Sequence, residues 1–398
     1  MKEYLSTPKG TRDVLLDECE TQSWIEDRLK ACFRSYGYNQ VITPGIEYLD
    51  VYADAPGNAG IEHMFKLIDN EGRILVLRPD STGPIARLTA SRLKESLKPV
   101  RLYYNQRVYR QKNLYSGHRV ETSQMGVELI GANSIRADME ALELAVVALM
   151  SCDIQDYRIE LGHGGLCALL ISRLDISGGA REQLKSLIQS KNYPALNDYL
   201  DALGHSDTIS TIKALPGLFG GPEVFEKARK ICDDEETQEI ISYTRTLFDN
   251  LRKLGLGENI MIDLGFANDN DYYTGVIFQA YIPDGGEAAL LGGRYDRLLG
   301  RFGDPQPAVG FGVNIDLLTK SRMSSGRQEA AKPPQALVWG GEGYVASALS
   351  YARDLRLSGD IIVENGLFES RQDCERYARS KGIKEIHIIG ATVEVIAI

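Results

Sequence analysis

The sequence has few cysteines and no long apolar run. Its six cysteines form no Cys-x-x-Cys pair, so their spacing indicates neither a zinc site nor a disulfide framework. The most apolar stretch, residues 141–150, is interrupted by Glu143 and is far shorter than the ~20 residues that cross a membrane. The first residues carry charge without an apolar segment, which is unlike a signal peptide. We therefore predict a cytoplasmic protein with no metal and no membrane association.

The sequence also lacks an excess of basic residues. Lys and Arg number 45 against 55 Asp and Glu, which gives a formal net charge of −10. This balance weakens a nucleic-acid role but leaves room for a local positive groove. The chain has 398 residues, of which 43% are hydrophobic and 25% charged. These values predict a folded chain of two or three domains and exclude disordered and fibrous classes.

Local composition predicts a core, an insertion, a linker and a small second domain. Residues 1–320 form the predicted core, in which a helix over 21–36 precedes several strands. Over about 166–254 the segments are rich in Leu, Lys, Glu and Gln with helical periodicity, which indicates a helical insertion. Residues 321–335 form a polar linker. Residues 336–398 are predicted to follow the order β-α-β-α-β-β and to form a small α/β domain.

One predicted strand, residues 123–130, places polar side chains around a glycine. Alternation along a strand puts Gln124, Gly126 and Glu128 on one face, so that an amide and a carboxylate flank an open floor. This arrangement is typical of a surface that holds a small ligand by directed hydrogen bonds. An edge strand with a solvated polar face is the alternative that the pattern leaves open.

Other motifs place polar groups at turns of the chain. Asp80 and Thr82 follow a predicted strand, where a loop would present a carboxylate and a hydroxyl to a ligand. Tyr272 and Tyr273 form a pair that, on its own, is more typical of core packing than of a ligand site. The glycines near residue 341 precede a predicted helix, with Glu364 about twenty residues later, as in dinucleotide-binding turns.

The order of the motifs resembles the histidyl-tRNA synthetase family. The motifs are, in chain order, Pro-Lys-Gly-Thr-Arg-Asp, Tyr-Gly-Tyr…Thr-Pro, Leu-Arg-Pro-Asp-Ser-Thr, Tyr-Arg with Gln-Met-Gly-Val-Glu, Asp-Tyr-Tyr-Thr-Gly and Gly-Gly-Arg-Tyr-Asp. The resemblance covers about residues 5–318. It implies an α+β fold of the class II aminoacyl-tRNA synthetase type, with an antiparallel sheet flanked by helices. It also implies dimerisation through the helix and strand of residues 21–44, with Trp24 and Phe33 as candidate anchors.

The positions that match the family's histidine pocket carry residues of the same chemical type as in the family. They are Asp80, which replaces a Glu of the family, and Thr82, Arg110, Gln124, Glu128, Tyr272 and Tyr273. The resemblance implies that Asp80, Thr82 and Gln124 hold the ammonium group of histidine. It implies that Glu128 and a tyrosine hold the imidazole.

The motif positions that serve adenylate formation in the family differ in this chain. They match Lys112, Asn113, His118, Thr122, Asn268 and Leu317. Asn268 stands where the family has an Arg on the reacting carboxylate, and Leu317 where it has an Arg on the triphosphate. Adenylate formation brings two anions together, so fixed cations are its main catalytic device. The differences therefore imply a binding pocket without aminoacylation chemistry.

This combination is similar to the regulatory-subunit family of short-form ATP phosphoribosyltransferase. That resemblance implies a non-enzymatic chain without catalytic residues or cofactor, with histidine as effector, in a homodimer within a hetero-octamer. Catalysis of the first step of histidine biosynthesis would belong to the catalytic subunit, which this chain would activate and make sensitive to histidine. No tRNA partner is implied, and the 8 basic and 9 acidic residues of 331–398 agree with that.

Two other functions stay open at this point. A divergent histidyl-tRNA synthetase would be an enzyme, and the residues at Asn268 and Leu317 discriminate against it. A nucleotide-binding accessory protein would use the turn at residues 341–346, and a nucleotide-binding assay on residues 333–398 would test it.

Overall fold

Two compact units, Met1–Glu329 and Ala330–Ile398, make up the structure. The first unit holds a large sheet, a small sheet and the helical insertion, and the second holds another sheet with two helices. The computed structural model describes residues 5–53, 61–111, 119–266, 272–283, 285–359 and 361–398.

The strands formed by the described residues belong to three sheets. Their bounds are β1 Asn39–Gln40, β2 Ile46–Tyr48, β3 Lys66–Ile68, β4 Ile74–Leu77, β5 Val100–Tyr109, β6 Glu121–Ile130, β7 Arg158–His163, β8 Phe219–Gly220, β9 Ile260–Asp263, β10 Val276–Tyr281, β11 Leu290–Arg294, β12 Ala308–Asn314, β13 Ala336–Gly340, β14 Val363–Asn365, β15 Glu385–Ile389 and β16 Val393–Ala397.

The helices surround these sheets. Their bounds are α1 Asp17–Ser35, α2 Asp50–Ala53, α3 Thr82–Arg92, α4 Ile135–Ser151, α5 Gly164–Ser172, α6 Gly178–Gln189, α7 Tyr193–Ala202, α8 Asp207–Ala214, α9 Glu223–Ile231, α10 Glu235–Lys253, α11 Ile315–Ser324, α12 Val345–Ser358 and α13 Arg371–Lys381. Among the described residues, none of these helices combines the length and apolar character of a membrane span.

Within the part of the chain that the structure describes, the large sheet has nine strands in the order β1-β5-β6-β12-β11-β10-β7-β9-β8. Neighbouring strands pair antiparallel except β1 with β5 and β7 with β9. Helices α5 to α10 follow one another between β7 and β9 and form the insertion, in which the short strand β8 joins the edge of the sheet. The predicted α+β class, with an antiparallel sheet and a helical insertion, is confirmed.

Helix α1 packs its apolar stripe against the core. Ile25, Leu29 and Phe33 recur at helical spacing and are fully buried. The helix begins at Asp17, one turn before the predicted start, because acidic residues in a first turn suit the helix dipole. It ends before Gly37, whose φ of 81° is a conformation that favours glycine.

Strand β6 lies inside the large sheet, between β5 and β12. Glu128 pairs with Gly310, and Gln124 pairs with Asn314. The interpretation of β6 as an edge strand with a solvated face is therefore wrong, because both its edges are hydrogen-bonded and Glu128 is buried.

The Ala330–Ile398 unit has a four-stranded sheet in the order β14-β13-β15-β16. Strand β13 pairs parallel with β14 and β15, and β16 pairs antiparallel with β15. Neighbouring residues of β13 face opposite sides of the sheet, so Leu337 and Val338 enter different apolar clusters. The elements follow the predicted order β-α-β-α-β-β.

Candidate functional site

A cavity of about 620 Å³ lies over strands β6, β11 and β12 of the large sheet. Its lining includes all seven residues predicted for the histidine pocket, namely Asp80, Thr82, Arg110, Gln124, Glu128, Tyr272 and Tyr273. These residues are distant in the chain and belong to the start of α3, the β5–β6 hairpin and the turn before β10. The fold therefore brings together what the sequence motifs only placed in order.

The floor of this cavity is open because glycines face the polar side chains of β6. Gly310 is the cross-strand partner of Glu128, and a Cβ there would overlap the Glu128 carboxylate. A Cβ at Gly312 would lie 2.7 Å from Gln124 Nε2. The two glycines of β12 thus leave the space that the amide and the carboxyl group occupy.

Glu128 is a buried carboxyl group, with 2% of its surface exposed. The Thr82 hydroxyl donates a hydrogen bond to Glu128 Oε1 at 2.8 Å, and the Tyr295 hydroxyl donates one to Oε2. Burial raises the pKa of Glu128 to about 8, against these two hydrogen bonds, which lower it. Without a ligand, this carboxyl group therefore keeps its proton at pH 7, and a basic or cationic ligand would favour its charged form.

We expect the contribution of Glu128 to the stability of the ligand-free chain to fall as pH rises from about 4.5 to about 8. In this window the folded chain retains a Glu128 proton that the unfolded chain releases, because folding raises the pKa from 4.5 to about 8. The free energy of unfolding then decreases with rising pH. Glu128→Gln cannot ionise at this position. The difference in melting temperature, Glu128→Gln minus wild type, should therefore increase across this pH window and become constant above it.

Thermal melts at constant ionic strength, between about pH 5 and about pH 9, measure this difference. Glu121→Gln, on the same strand but outside the cavity lining, is the matched control. A difference between Glu128→Gln and wild type that stays constant across the window would contradict the prediction.

Asp80 lies immediately before α3 and faces the same cavity. The Gly83 N–H donates a hydrogen bond to Asp80 Oδ1 at 3.1 Å. Burial raises the pKa of Asp80, while the Gly83 hydrogen bond and the charge of Arg110 lower it. Arg110 Nε donates to the Pro79 carbonyl at 2.7 Å, which holds the guanidinium at the cavity wall. A carboxylate and a guanidinium at one end suit the two charged groups of an amino acid.

Tyrosine rings form a side wall of the cavity. Tyr272 and Tyr273 lie in the turn before β10, with ring centroids 4.7 Å apart. Tyr272 packs edge-to-face on Tyr295 at 5.7 Å. The pair therefore contributes to the site as well as to packing, although neither tyrosine is part of a strand.

The sequence motifs did not identify Tyr295, Tyr104 or Arg119 as site residues. The Tyr104 hydroxyl donates to Gln124 Oε1 at 3.1 Å, so it orients the amide. For Tyr295 the sequence offers a signal, because strand alternation places Tyr295 on the same face as Gly293. In the structure Gly293 lies against Tyr273. The resemblance matches the neighbouring His118, rather than Arg119, to the basic position of the family.

The other end of the cavity is lined by Arg119, Thr122, Asp316, Leu317 and Lys320. Arg119 Nη1 forms an ion pair with Asp316 Oδ1 at 3.0 Å, so its charge is already matched. Leu317 brings an apolar side chain to the position where the resemblance expects an Arg. Among the described residues, no group of three His, Cys, Asp or Glu side chains could hold a metal ion. The predicted positions outside the described residues are Lys112, Asn113, His118 and Asn268.

Comparison with known proteins identifies the family. A family model described as histidyl-tRNA synthetase matches residues 10–318. A protein of Clostridium botulinum strain 657, named ATP phosphoribosyltransferase regulatory subunit, is 35% identical over 390 residues, which are 97% of this chain and 92% of the relative. The chain belongs to the family of ATP phosphoribosyltransferase regulatory subunits. The prediction of this family from the sequence motifs is therefore confirmed.

Solved structures of this regulatory-subunit family and of synthetases share the fold. The crystal structure of an ATP phosphoribosyltransferase regulatory subunit/histidyl-tRNA synthetase from Bacillus halodurans C has a TM-score of 0.83 at 30% identity. That match covers 97% of this chain and 99% of the other. Histidyl-tRNA synthetase from Nostoc sp. PCC 7120, at 21% identity, has a TM-score of 0.76 over 98% of this chain and 96% of its own, which shows the fold alone. This regulatory-subunit chain thus has the class II synthetase-like core that its sequence predicted.

Proposed function

We propose that this chain is a non-catalytic subunit that binds histidine and regulates a separate catalytic subunit. That partner, the short-form ATP phosphoribosyltransferase catalytic subunit, would carry out the first step of histidine biosynthesis. The observation that carries the proposal is the asymmetry of the cavity. Asp80 and Glu128 lie at one end, whereas at the other end Leu317 stands where the synthetase resemblance expects an Arg on the triphosphate, and Arg119 is paired with Asp316.

The cavity offers a complementary group for each polar part of histidine. Asp80 and Gln124 would hold the ammonium group, and Arg110 would hold the carboxylate. Glu128 would meet the imidazole and transfer its proton to the ring, which leaves an ion pair shielded from water. Thr82 was expected on the ammonium group, but its hydroxyl donates to Glu128 and therefore orients that carboxyl group.

A calorimetric titration of the chain with histidine tests this proposal. We expect histidine to saturate one site per chain. Glutamine has a similar size but no basic ring to accept the Glu128 proton, so it should give no binding heat. Absence of histidine binding to both the chain and its complex with the catalytic subunit would contradict the proposal.

The contacts of α1 bear on the two side chains, Trp24 and Phe33, that the resemblance implies as dimer anchors. Phe33 is fully buried in the chain's own core, and the Arg322 guanidinium lies 3.6 Å from the centroid of the Trp24 ring. These two side chains are therefore engaged within one chain. Neither offers the open apolar surface that a dimer anchor needs.

An exposed apolar face lies on the three-stranded sheet β2-β4-β3. Ile46, Tyr48 and Leu67 are 47%, 44% and 41% exposed. Tyr48 and Leu67 both pair with Leu75, so they share one face of this sheet. The face directly follows residues 21–44, where the synthetase resemblance implies dimerisation. We propose that a second copy of the chain covers it, within the hetero-octamer with the catalytic subunit.

Ile46→Asp is expected to convert this dimer to a monomer, because it places a charge in the apolar contact. Light scattering at micromolar concentration measures the mass. Ile362→Asp is the matched control, since Ile362 is 44% exposed but lies outside the three-stranded sheet. A wild-type monomer, or a dimer that survives Ile46→Asp, would contradict the proposed interface.

The two alternative functions are less well supported. A divergent synthetase needs cations on the triphosphate, which Leu317 does not supply. A nucleotide-binding turn at residues 341–346 needs Glu364 for the ribose, but the Tyr377 hydroxyl forms a hydrogen bond with that carboxylate, which raises the pKa of Tyr377.

A further inference from the structure

Arg294, the last residue of β11, lies between the cavity and the helical insertion. Neighbouring residues of an extended strand point to opposite faces of the sheet. Tyr295, which follows Arg294, reaches into the cavity and donates its hydrogen bond to Glu128. Arg294 is 5% exposed, and its side chain makes its contacts on the other side, with Asp138 of α4.

Asp138 joins Arg294 to the insertion. This carboxylate is fully buried, and Arg294 Nε donates to its Oδ1 at 2.8 Å. Its other oxygen, Oδ2, accepts a hydrogen bond from the hydroxyl of Tyr243, which belongs to helix α10 of the insertion. A buried carboxylate needs hydrogen-bond donors, so Arg294 and Tyr243 are coupled through Asp138, and a change in the position of one donor changes the hydrogen bond of the other.

Arg294 also fixes the tyrosine turn, residues 272–275. Its carbonyl accepts a hydrogen bond from the Thr274 N–H at 2.8 Å. Its Nη1 donates to Asp296 Oδ1 at 3.1 Å, and Asp296 Oδ2 accepts from the Thr274 hydroxyl at 3.2 Å. A Cβ at Gly275 would lie 2.9 Å from Arg294 Cδ, so the turn packs directly on the Arg294 side chain.

We propose that Arg294 is a positioning residue that holds the tyrosine turn against the cavity and, through Asp138 and Tyr243, couples ligand occupancy to α10. The inference rests on the proposed function, because the ligand is histidine. A ligand that orders Tyr272 and Tyr273 restrains the turn, and the turn restrains Arg294. Arg294 and Tyr243 both donate to Asp138, so this restraint reaches α10. Coupling between two sites is reciprocal, so α10 should respond to the ligand.

Hydrogen–deuterium exchange of the full chain, with and without saturating histidine, tests this coupling. In the wild type we expect histidine to slow amide exchange in the tyrosine turn and in α10. Tyr243→Phe keeps the ring and removes one hydroxyl. Asp138 keeps its hydrogen bond from Arg294, so the chain should fold. In this variant the turn should still be protected by histidine, and the protection of α10 should be lost.

Tyr199→Phe is the matched control. It makes the same substitution within the insertion, where the Tyr199 hydroxyl donates to the Ala180 carbonyl at 3.1 Å, away from Asp138. Its histidine-dependent protection should equal that of the wild type. Histidine binding is measured by calorimetry on the same samples, so that exchange in Tyr243→Phe is compared with wild type at saturating histidine.

The outcomes separate this inference from the proposed function. If histidine binds but leaves α10 exchange unchanged in the wild type, the coupling through Arg294 is wrong and the histidine sensor stands. Protection of α10 that survives Tyr243→Phe also overturns the coupling. If calorimetry detects no histidine binding, the proposed function and this inference both fail.

Discussion

Glu128→Ala is expected to weaken histidine binding by about 10- to 100-fold. A charged hydrogen bond shielded from water contributes about 1.5–3 kcal/mol, which corresponds to that loss of affinity. The substitution also removes the acceptor of the Thr82 and Tyr295 hydroxyls, so both would face the ligand without their partner. Calorimetry at pH 7 measures the change.

Glu121→Ala is the control for this effect. Glu121 starts the same strand, but its carboxylate contacts Arg107 and Tyr109 rather than the cavity. Its histidine affinity should equal that of the wild type. If Glu128→Ala binds histidine as tightly as the wild type does, histidine does not occupy this cavity.

The purified chain is expected to show no histidine-dependent exchange of pyrophosphate into ATP and no charging of tRNA. Adenylate formation needs fixed cations on a triphosphate and a carboxylate, and loss of one such group costs about 100–1,000-fold in rate. Leu317 supplies no charge, and Arg119 is paired with Asp316. With Leu317 and Asn268 in place of the two arginines that the resemblance expects, the rate should fall below detection.

A histidyl-tRNA synthetase run in the same exchange assay serves as the positive control. Leu317→Arg restores one cation alone, so we expect that variant to remain inactive while it still binds histidine. Exchange by the wild-type chain at a rate near that of the control enzyme would show that the chain is a synthetase.

Much of the cavity could be predicted from local sequence. Alternation along β6 is enough to place Gln124 and Glu128 on one face with Gly126 between them, because the side-chain period of a strand is fixed by its backbone. The family resemblance then adds Asp80 and the tyrosine pair, although their places depend on loops.

Contacts between distant segments could not be predicted in this way. The hydrogen bond from Tyr295 to Glu128 depends on β11 and β6 both flanking β12, which no local pattern encodes. The role of Thr82 depends on the same contact. Phe33 has the spacing of an exposed anchor as well as that of a core residue, and only its packing inside the sheet layer distinguishes the two.

Steady-state ATP phosphoribosyl transfer by the short-form catalytic subunit, with this chain titrated in, measures whether this chain regulates that subunit. We expect little activity from the catalytic subunit alone and a saturable increase as the chain is added. Histidine should then inhibit the wild-type complex, and the Glu128→Ala complex should need about 10- to 100-fold more histidine for the same inhibition. Activity that does not depend on the chain, or equal histidine inhibition of both complexes, would contradict the account.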